Sequence, residues 1–415
     1  MKNKLYNTAA ITLLLFASGC SGSGIETMSE AVKGFDLSIM PVSFTRGNRG
    51  NDFSAYQKLD GELIFEISHT EAMRSKDWFR YLNLFHEGYA TAVYDNKISI
   101  FNTEGEVVAD LEGCALAGDN LNGQYFSEGL LLLKNGKSIS CFTPQGEEKF
   151  QFEGNAYSQF RAGYALYTSK QRSDNLGIID TNGDVIYEDQ QDEYIPSWYA
   201  WAMSSPESYA HPTWFPLYSD GKPVCIIDIA TGKRYLEGAL DGLVNYSISI
   251  FSSDISIPAV DCNDRLVVID DDKYGMMDLA GNFIIEPQYD YLRNDGEWYV
   301  YGLDGVYGWL DKNGKVVIEA QYSTSSDFKR SDLGFAMSDL SRIDKNTFIN
   351  RKNEVALETE YNIESNFIGD RCLVDLGSEG YSWMNRNGEL VGESMFIGDK
   401  HEDINRISMG YAIQY

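Results

Sequence analysis

A short hairpin pattern recurs along most of this 415-residue chain and constrains its fold more than any other feature. In one clear copy, Tyr307–Tyr322, two apolar runs flank the polar turn Asp311–Lys315. A glycine at a fixed point of such a turn supplies a positive φ, which a tight hairpin needs and which few other residues adopt at low cost. Each copy therefore predicts two antiparallel strands joined by a glycine turn.

The turn position can be followed through nine copies, spaced 33 to 49 residues apart. Eight carry glycine, and the ninth carries asparagine, the next most tolerant residue for a left-handed backbone. The predicted turn residues are Gly61, Gly105, Gly146, Gly183, Gly232, Gly281, Gly314, Asn353 and Gly388. Many copies follow an aromatic residue, two polar residues, a glycine and an apolar strand, as in Phe85–Tyr94 and Phe126–Lys134. Each unit therefore predicts about three short strands, and the whole chain an all-β array without helices between units.

Two copies have a more specific resemblance. Lys273–Asp290 and Val306–Tyr322 are similar to the unit of the bacterial WG (KWG) repeat family, including Asp278, Gly281 and Pro287 of the first copy. The signature Trp of that family is replaced here by Tyr or Leu, at Leu176, Tyr274, Tyr307 and Tyr381. The resemblance implies an extracytoplasmic β-repeat domain, and it brings no catalytic residues with it.

Such units cannot bury an apolar face alone, so they must stack on one another. The unit length fits the blade of a β-propeller. The chain also ends on half a unit, Ile407–Tyr415, which could pair with the N-terminal unit and close a circle, or could cap a rod. The sequence therefore predicts repeated three-stranded units in a β-propeller-like ring, with an open β-solenoid or array as the alternative.

The N-terminus has the features of an export signal. Two lysines precede the apolar run Ala9–Phe16, which is too short to span a bilayer, and Ala17–Cys20 follows. The last segment resembles the lipobox of bacterial lipoproteins, in which the cysteine is lipidated. The alternative is a plain secretory signal followed by a chance cysteine.

These features divide the chain into three parts. We expect a lipoprotein signal peptide at 1–19, a flexible tether at 20–36 that begins at the lipidated Cys20, and the repeat domain at 37–415. The expected location is the cell envelope, on the outer side of the cytoplasmic membrane or at the outer membrane. The lipid on Cys20 would be the membrane contact.

Charge and cysteine content argue against nucleic-acid-binding proteins and disulfide-rich domains. The formal net charge of −28 argues against nucleic acid as a partner and leaves basic partners, or simply a solvated acidic surface. After Cys20 the cysteines are odd in number and contain no C-x-x-C motif, which excludes a complete disulfide framework. A single bridge between Cys114 and Cys141 remains open.

The repeat breaks down at residues 189–223, which are rich in aromatic residues and proline. Insertions in repeat folds map to loops on one face, which is often the binding face. Clustered Trp and Tyr suit a platform for a protein, peptide or glycan ligand. The predicted ligand contacts are Trp198, Tyr199, Trp201 and Trp214. The alternative is a loop that its own aromatic residues hold against the body.

No pattern of catalytic residues is recognisable. The four histidines stand in unrelated contexts, and His211 is the single one near the irregular stretch. The sequence has no nucleophile elbow or phosphate-binding loop, and Asp270–Asp272 suits a solvated turn better than a calcium site. We expect neither a metal nor a cofactor. The predicted function is a lipid-anchored binding or scaffold module; a glycan-active enzyme using the irregular stretch and a structural envelope protein are the alternatives.

Overall fold

The computed structural model describes residues 36, 38–45, 52–68, 85–94, 97–115, 125–169, 175–188, 192–197, 199–200, 211–238, 247–250, 253–256, 261, 263–325, 328, 332–335, 338–367 and 369–395. The elements within these ranges are antiparallel strands and one 3₁₀ helix, Gly377–Glu379, and Tyr199–Ala200 also have α-helical backbone. The predicted signal peptide, Cys20 and the half unit at Ile407–Tyr415 lie outside the described residues.

The strands form nine sheets, numbered here I to IX along the described chain, and one two-stranded sheet between V and VI. Sheet I contains β1 (Ile39–Thr45), β2 (Asp52–Lys58) and β3 (Leu63–Ser68). Sheet II contains β4 (Tyr89–Tyr94), β5 (Lys97–Asn102) and β6 (Val107–Glu112). Sheet III contains β7 (Cys114–Ala115), β8 (Leu131–Asn135), β9 (Ser138–Phe142) and β10 (Glu148–Glu153). Sheet IV contains β11 (Asn155–Ala156), β12 (Tyr164–Thr168), β13 (Asn175–Asp180), β14 (Val185–Tyr187) and β15 (Ile195–Pro196).

The remaining sheets repeat the same order. Sheet V contains β16 (Trp214–Ser219), β17 (Lys222–Asp228) and β18 (Lys233–Tyr235), and the two-stranded sheet contains β19 (Ser247–Ile250) and β20 (Ser253–Ser256). Sheet VI contains β21 (Arg265–Asp270), β22 (Lys273–Asp278) and β23 (Phe283–Tyr289). Sheet VII contains β24 (Tyr291–Asp295), β25 (Trp298–Leu303), β26 (Val306–Asp311) and β27 (Val316–Ser323). Sheet VIII contains β28 (Leu340–Arg342), β29 (Thr347–Asn350) and β30 (Val355–Glu358). Sheet IX contains β31 (Asn362–Ile363), β32 (Arg371–Asp375), β33 (Tyr381–Asn385) and β34 (Leu390–Met395).

All nine predicted turn residues lie in the hairpin that joins the middle strand of a sheet to its third main strand. Their φ angles are positive, from +64° at Asn353 to +88° at Gly61. The prediction of the repeat and of an all-β fold is therefore confirmed. The turn is a local structure, which explains why its residues could be found without knowing the rest of the fold.

In six of the nine turns, an acidic or amide residue three positions before the turn residue has a structural role. The Asp311 Oδ1 accepts hydrogen bonds from the backbone N–H groups of Asn313 and Lys315, both at 2.9 Å. The same pair of bonds recurs at Asn102, Asp180, Asp278, Asn350 and Asn385. Short side chains that accept backbone N–H groups two residues on stabilise turns of this kind. Asp311 is therefore a turn residue.

Close strand packing explains a second recurring feature of the repeat, the glycine after Tyr274 or Tyr307. The third strand shifts register opposite both positions. A Cβ on Gly275 would lie 2.7 Å from the Ile285 carbonyl oxygen, and a Cβ on Gly308 would lie 2.7 Å from the Ala320 nitrogen. Neither distance is sterically possible, so glycine is required where the bulged strand crosses.

Neighbouring sheets pack through the same turns. Gly105 lies against Phe65 of sheet I, Gly146 against Ala109 of sheet II, and Gly314 against Ile285 of sheet VI. At the asparagine turn, the Tyr322 hydroxyl of sheet VII donates a hydrogen bond to Asn353 Oδ1. Apolar clusters fill the space between successive sheets, so the core is divided into layers around the molecule.

The first and last sheets meet in the same way as consecutive ones. Gly61 of sheet I lies against Gly392 of β34, and β1 contacts β34. The buried Arg371 of β32 donates to the backbone carbonyls of Ser38, at 2.7 Å, and Gln57, at 3.4 Å. These contacts give a closed, β-propeller-like arrangement, and the alternative of an open array is wrong.

Candidate functional site

The packing of turns on preceding strands has one exception, between sheets IV and V. Among the described residues, no heavy atom other than those of its own chain neighbours lies within 4 Å of a Cβ built on Gly232. In sheet IV, β13 pairs with β14 through Ile178 and Tyr187, and then with β15 through Leu176 and Ile195. The third strand of sheet IV is thus divided between β14 and β15, while one apolar cluster joins sheets IV and V.

The residues just before β15 also connect the two sheets. Tyr194 and Tyr218 of β16 exchange two backbone hydrogen bonds of 2.8 Å. The Arg234 guanidinium binds both carboxylate oxygens of Glu193, at 2.6 and 3.1 Å. These hydrogen bonds from Arg234 lower the pKa of Glu193, against the opposing effect of burial. The described part of the stretch 189–223 therefore contains β15 of sheet IV, β16 and the start of β17.

An aromatic stack lies on the opposite face of sheet V, toward sheet VI. It consists of His211, Trp214 and Tyr235, all half-buried. The ring centroids of His211 and Trp214 are 4.3 Å apart, and those of Trp214 and Tyr235 are 5.1 Å apart with planes inclined by 29°. The Lys233 ammonium lies 4.4 Å from the centroid of Tyr235. All three rings are partly exposed, and a cation lies at one end of the stack.

Hydrogen bonds to Nδ1 indicate the tautomer of His211. The backbone N–H and the hydroxyl of Thr213 lie 3.4 and 3.3 Å from His211 Nδ1, and the same hydroxyl lies 3.3 Å from Asp228 Oδ1. Burial lowers the pKa of His211, and the charges of Asp264 and Asp228 partly offset that effect. A neutral imidazole that accepts at Nδ1 carries its proton on Nε2, which is then a donor beside Trp214.

The four predicted ligand contacts have different positions. Trp214 belongs to the aromatic stack, whereas Trp198 and Trp201 lie outside the described residues. Tyr199 is fully buried in the core between sheets IV and V, and its hydroxyl donates to the Trp214 carbonyl at 3.0 Å. Tyr199 therefore has no exposed face for a ligand, and it secures the backbone of Trp214 instead.

Sequence reasoning missed His211 as a stacking partner and did not consider Tyr235 and Lys233. Tyr235 could have been identified, because it closely follows Gly232, one of the nine predicted turn residues. Strand residues two positions apart share a face, so Lys233 and Tyr235 lie on the same face. What the pattern could not show is that Tyr235 of β18 and Trp214 of β16, on two strands of the same sheet, meet on one face.

Other candidate groups have structural roles in the described part of the chain. Cys114 and Cys141 are both buried and free, so the possible bridge between them is not formed. Burial raises the pKa of Cys141 to about 12, which makes it unreactive. Asp271 and Asp272 have φ values of 47° and 61° and form the exposed turn between β21 and β22.

The described ranges lack two further features. They contain no group of three or more His, Cys, Asp or Glu residues arranged to hold a metal ion. Nor do they contain a helix with the length and apolar character required to cross a bilayer.

Comparison with protein families gives one match. Residues 274–297 and 307–338 match a family described as "WG containing repeat". These segments coincide with the two units whose resemblance to WG repeats is closest in the sequence. A search of curated protein sequences finds no match.

Solved structures with similar folds are distant in sequence. BamB from Moraxella catarrhalis is 11% identical, with 75% of this chain and 94% of that chain covered and a TM-score of 0.34. A eukaryotic initiation factor is 10% identical, with 86% and 97% covered and a TM-score of 0.44. Hsv2p of Kluyveromyces lactis is 11% identical, with 58% and 74% covered and a TM-score of 0.31. The ring arrangement of this chain is defined by its own sheet contacts.

Proposed function

We propose that the protein is a repeat-type binding or scaffold module that takes up a ligand at the aromatic stack. The observation that carries this proposal is the half-exposed stack of His211, Trp214 and Tyr235. It lies on sheet V, which follows the division of the third strand of sheet IV into β14 and β15. The match to WG repeats supports the repeat-type architecture without adding catalytic residues. Binding requires only a surface of the right shape and chemistry, which an otherwise regular ring offers where its regularity ends.

A glycan fits the stack best among the predicted ligand classes. The apolar face of a pyranose packs on a flat indole or phenol ring, and its hydroxyls need neighbouring donors and acceptors. His211 Nε2 and Lys233 Nζ supply donors, and the Thr213 hydroxyl, which donates its proton to Asp228, supplies an acceptor. A protein or peptide ligand would use the same rings as anchors.

The test compares two tryptophans on glycan and peptide arrays. Trp214→Ala removes the centre of the stack. Trp298→Ala is a matched control, because Trp298 is also half-buried but lies in sheet VII beneath the Arg351 guanidinium. A central aromatic anchor contributes about 2 kcal/mol or more, so we expect Trp214→Ala to weaken binding by roughly thirtyfold and the control to bind as the wild type does. Equal binding by all three proteins would refute the assignment of the site.

We also propose that Cys20 carries a lipid that holds the module in the cell envelope, on the outer side of the cytoplasmic membrane or at the outer membrane. The lipobox-like Ala17–Cys20 supports this proposal. Cys20→Ser should move the protein from the membrane fraction to the soluble fraction, because one or two acyl chains are its expected anchor. Retention of the variant in the membrane fraction would contradict the lipid anchor.

A further inference from the structure

Three polar side chains are buried where the last sheet meets the first. Arg371 and Trp383 of sheet IX and Gln57 of sheet I are at most 2% exposed. Arg371 lies opposite Asn385 and Trp383 lies opposite Leu373 in the β32–β33 register, so Arg371 and Trp383 share one face of sheet IX. The guanidinium carbon of Arg371 is 5.8 Å from the ring centroid of Trp383.

Gln57 occupies a position that is apolar in the corresponding sheets. It lies four residues before the turn residue Gly61. In the seven other sheets whose hairpins have the same length, the residue four positions before the turn residue is apolar and buried. These residues are Phe101, Phe142, Ile179, Met277, Leu310, Ile349 and Met384. Ile349, for example, packs with Trp309 of the preceding sheet. Gln57 faces sheet IX in the same way, since a Cβ on Gly392 of β34 would lie 2.1 Å from Gln57 Nε2.

Each of the three buried side chains has a polar atom without a hydrogen-bond partner among the described residues. These atoms are Arg371 Nε, Trp383 Nε1 and Gln57 Oε1. The tryptophan at the same position of sheet VII is satisfied, because Trp309 Nε1 donates to Asp295 Oδ2 at 3.0 Å. Both tryptophans lie five residues before their turn residue. The closing interface therefore lacks, within the described part of the chain, the carboxylate that accepts from the indole in sheet VII.

The charge of Arg371 is also uncompensated in the described ranges. Its guanidinium donates to two neutral backbone carbonyls, and it forms no ion pair with a described carboxylate. Burial lowers the pKa of Arg371 to about 10, so the side chain is still charged at neutral pH. A buried charge is costly unless an opposite charge lies beside it. A water molecule would satisfy the open donors but would leave this charge uncompensated.

We propose that a small monovalent anion such as chloride binds between Arg371 and Trp383, where sheets IX and I close the ring. Arg371 Nε and Trp383 Nε1 donate to the anion, and Gln57 can turn its amide so that Nε2 is a third donor. One acceptor at about 3 Å from each donor bridges groups about 6 Å apart, which fits the separation of the guanidinium and the indole. The anion has the role at Trp383 that the Asp295 carboxylate has in sheet VII.

The test is urea unfolding of the full-length protein at increasing chloride concentration, with sodium gluconate keeping the ionic strength constant. An ion that binds only the folded state raises the ratio of folded to unfolded protein by about tenfold for each tenfold rise in its concentration above the dissociation constant. We expect this dependence with chloride and bromide, and none with gluconate, which is too large for a buried interface. The formal charge of −28 disfavours non-specific binding of anions, so the dependence reports on a specific site.

Variants and a heavier halide locate the site. Gln57→Glu places a carboxylate beside Arg371, so this variant should lose the chloride dependence and should be more stable than the wild type at low chloride. Trp383→Phe removes one donor and should raise the chloride concentration required by about tenfold. Trp309→Phe is the matched control, because its indole N–H is already bound by Asp295, and it should keep the full chloride dependence. In crystals grown with bromide, the anomalous signal should lie within hydrogen-bond distance of Trp383 Nε1.

Three results would overturn the proposal. The first is a wild-type stability that does not change with chloride, which would leave water as the occupant. The second is an undiminished chloride dependence in both Gln57→Glu and Trp383→Phe, which would place the ion elsewhere. The third is an equal loss in Trp309→Phe. The anion site shares no residue with the aromatic stack, so Trp214→Ala should keep the chloride dependence, and failure of one proposal leaves the other standing.

Discussion

Asp261 provides a prediction whose size can be worked out from the structure. Its buried carboxylate accepts four hydrogen bonds. The Tyr299 hydroxyl and Asn294 Nδ2 donate to Oδ2 at 2.5 and 2.9 Å, and the Asn263 and Arg265 N–H groups donate to Oδ1 at 2.8 and 3.1 Å. All these donors are neutral. Burial therefore outweighs them and raises the pKa of Asp261 from 3.8 to about 6.

The consequence is a loss of stability as the pH rises. A carboxyl group with a higher pKa in the folded state binds its proton more tightly there than in the unfolded chain. Its favourable contribution is complete below about pH 4 and disappears as the pH rises through 6, the pKa of the folded state. A shift of about two units corresponds to roughly 3 kcal/mol. The charged form of Asp261 thus lowers the free energy of unfolding by this order of magnitude at neutral pH.

The perturbation is Asp261→Asn, which keeps the shape and removes the ionisation. Urea unfolding followed by tryptophan fluorescence, at steps from pH 4 to pH 8, should give nearly equal stabilities at pH 4. At pH 8 the variant should be more stable by up to about 3 kcal/mol. Carboxyl carbon NMR of the wild type should show Asp261 titrating near pH 6. Asp278→Asn serves as the control, because backbone N–H donors lower the pKa of Asp278 and its difference from the wild type should have the opposite sign.

A difference between wild type and Asp261→Asn that stays constant from pH 4 to pH 8 would refute the reasoning. Such a result would mean that the hydrogen bonds to Asp261 compensate fully for its burial. The same conclusion would follow from a carboxyl signal that titrates near pH 4.

Two further predictions concern the ring. Gly314→Ala should lower the free energy of unfolding by about 1–3 kcal/mol, because its Cβ would lie 2.6 Å from Ile285 Cγ1. Gly305→Ala, with the same φ of +80° but open space around it, should cost only the backbone strain of about 1 kcal/mol, and equal losses in urea unfolding would contradict the packing role. Arg371→Ala removes the donor shared by two carbonyls of sheet I, so the amides of β1 should exchange faster with solvent than those of β25, and unchanged exchange would contradict its role in closing the ring.

Links between sheets also explain polar residues that the repeat pattern leaves unassigned. The Glu87 carboxylate accepts hydrogen bonds of 2.8 Å from the backbone N–H groups of Glu128 and Gly129 in the next unit. Glu128 repeats this contact with Gly163 at 2.8 Å. Asp295 accepts one from Phe335 N–H at 2.8 Å. These residues connect neighbouring sheets, so the presence of acidic side chains at these positions is explained by the backbone N–H groups that donate to them.

The local parts of the fold could be predicted from the sequence alone. A hairpin turn depends on the φ of one residue and on a nearby side chain, and these residues lie close together in the sequence. Even the exception, Asn353, followed from the conformations that asparagine tolerates. The aromatic richness of the stretch near Trp214 likewise pointed to the sheet that carries the candidate site.

The tertiary structure alone decided how the units meet. Periodicity shows which residues face inward, but it does not show which residue of another sheet each one contacts. Ring closure depends on Arg371 reaching Ser38, residues that lie at opposite ends of the described chain. The burial of Tyr199 and the contact between Trp214 and Tyr235 arise in the same way from packing between separate strands and sheets. Local conformation is set by neighbours in sequence, whereas burial and contact are set by neighbours in space.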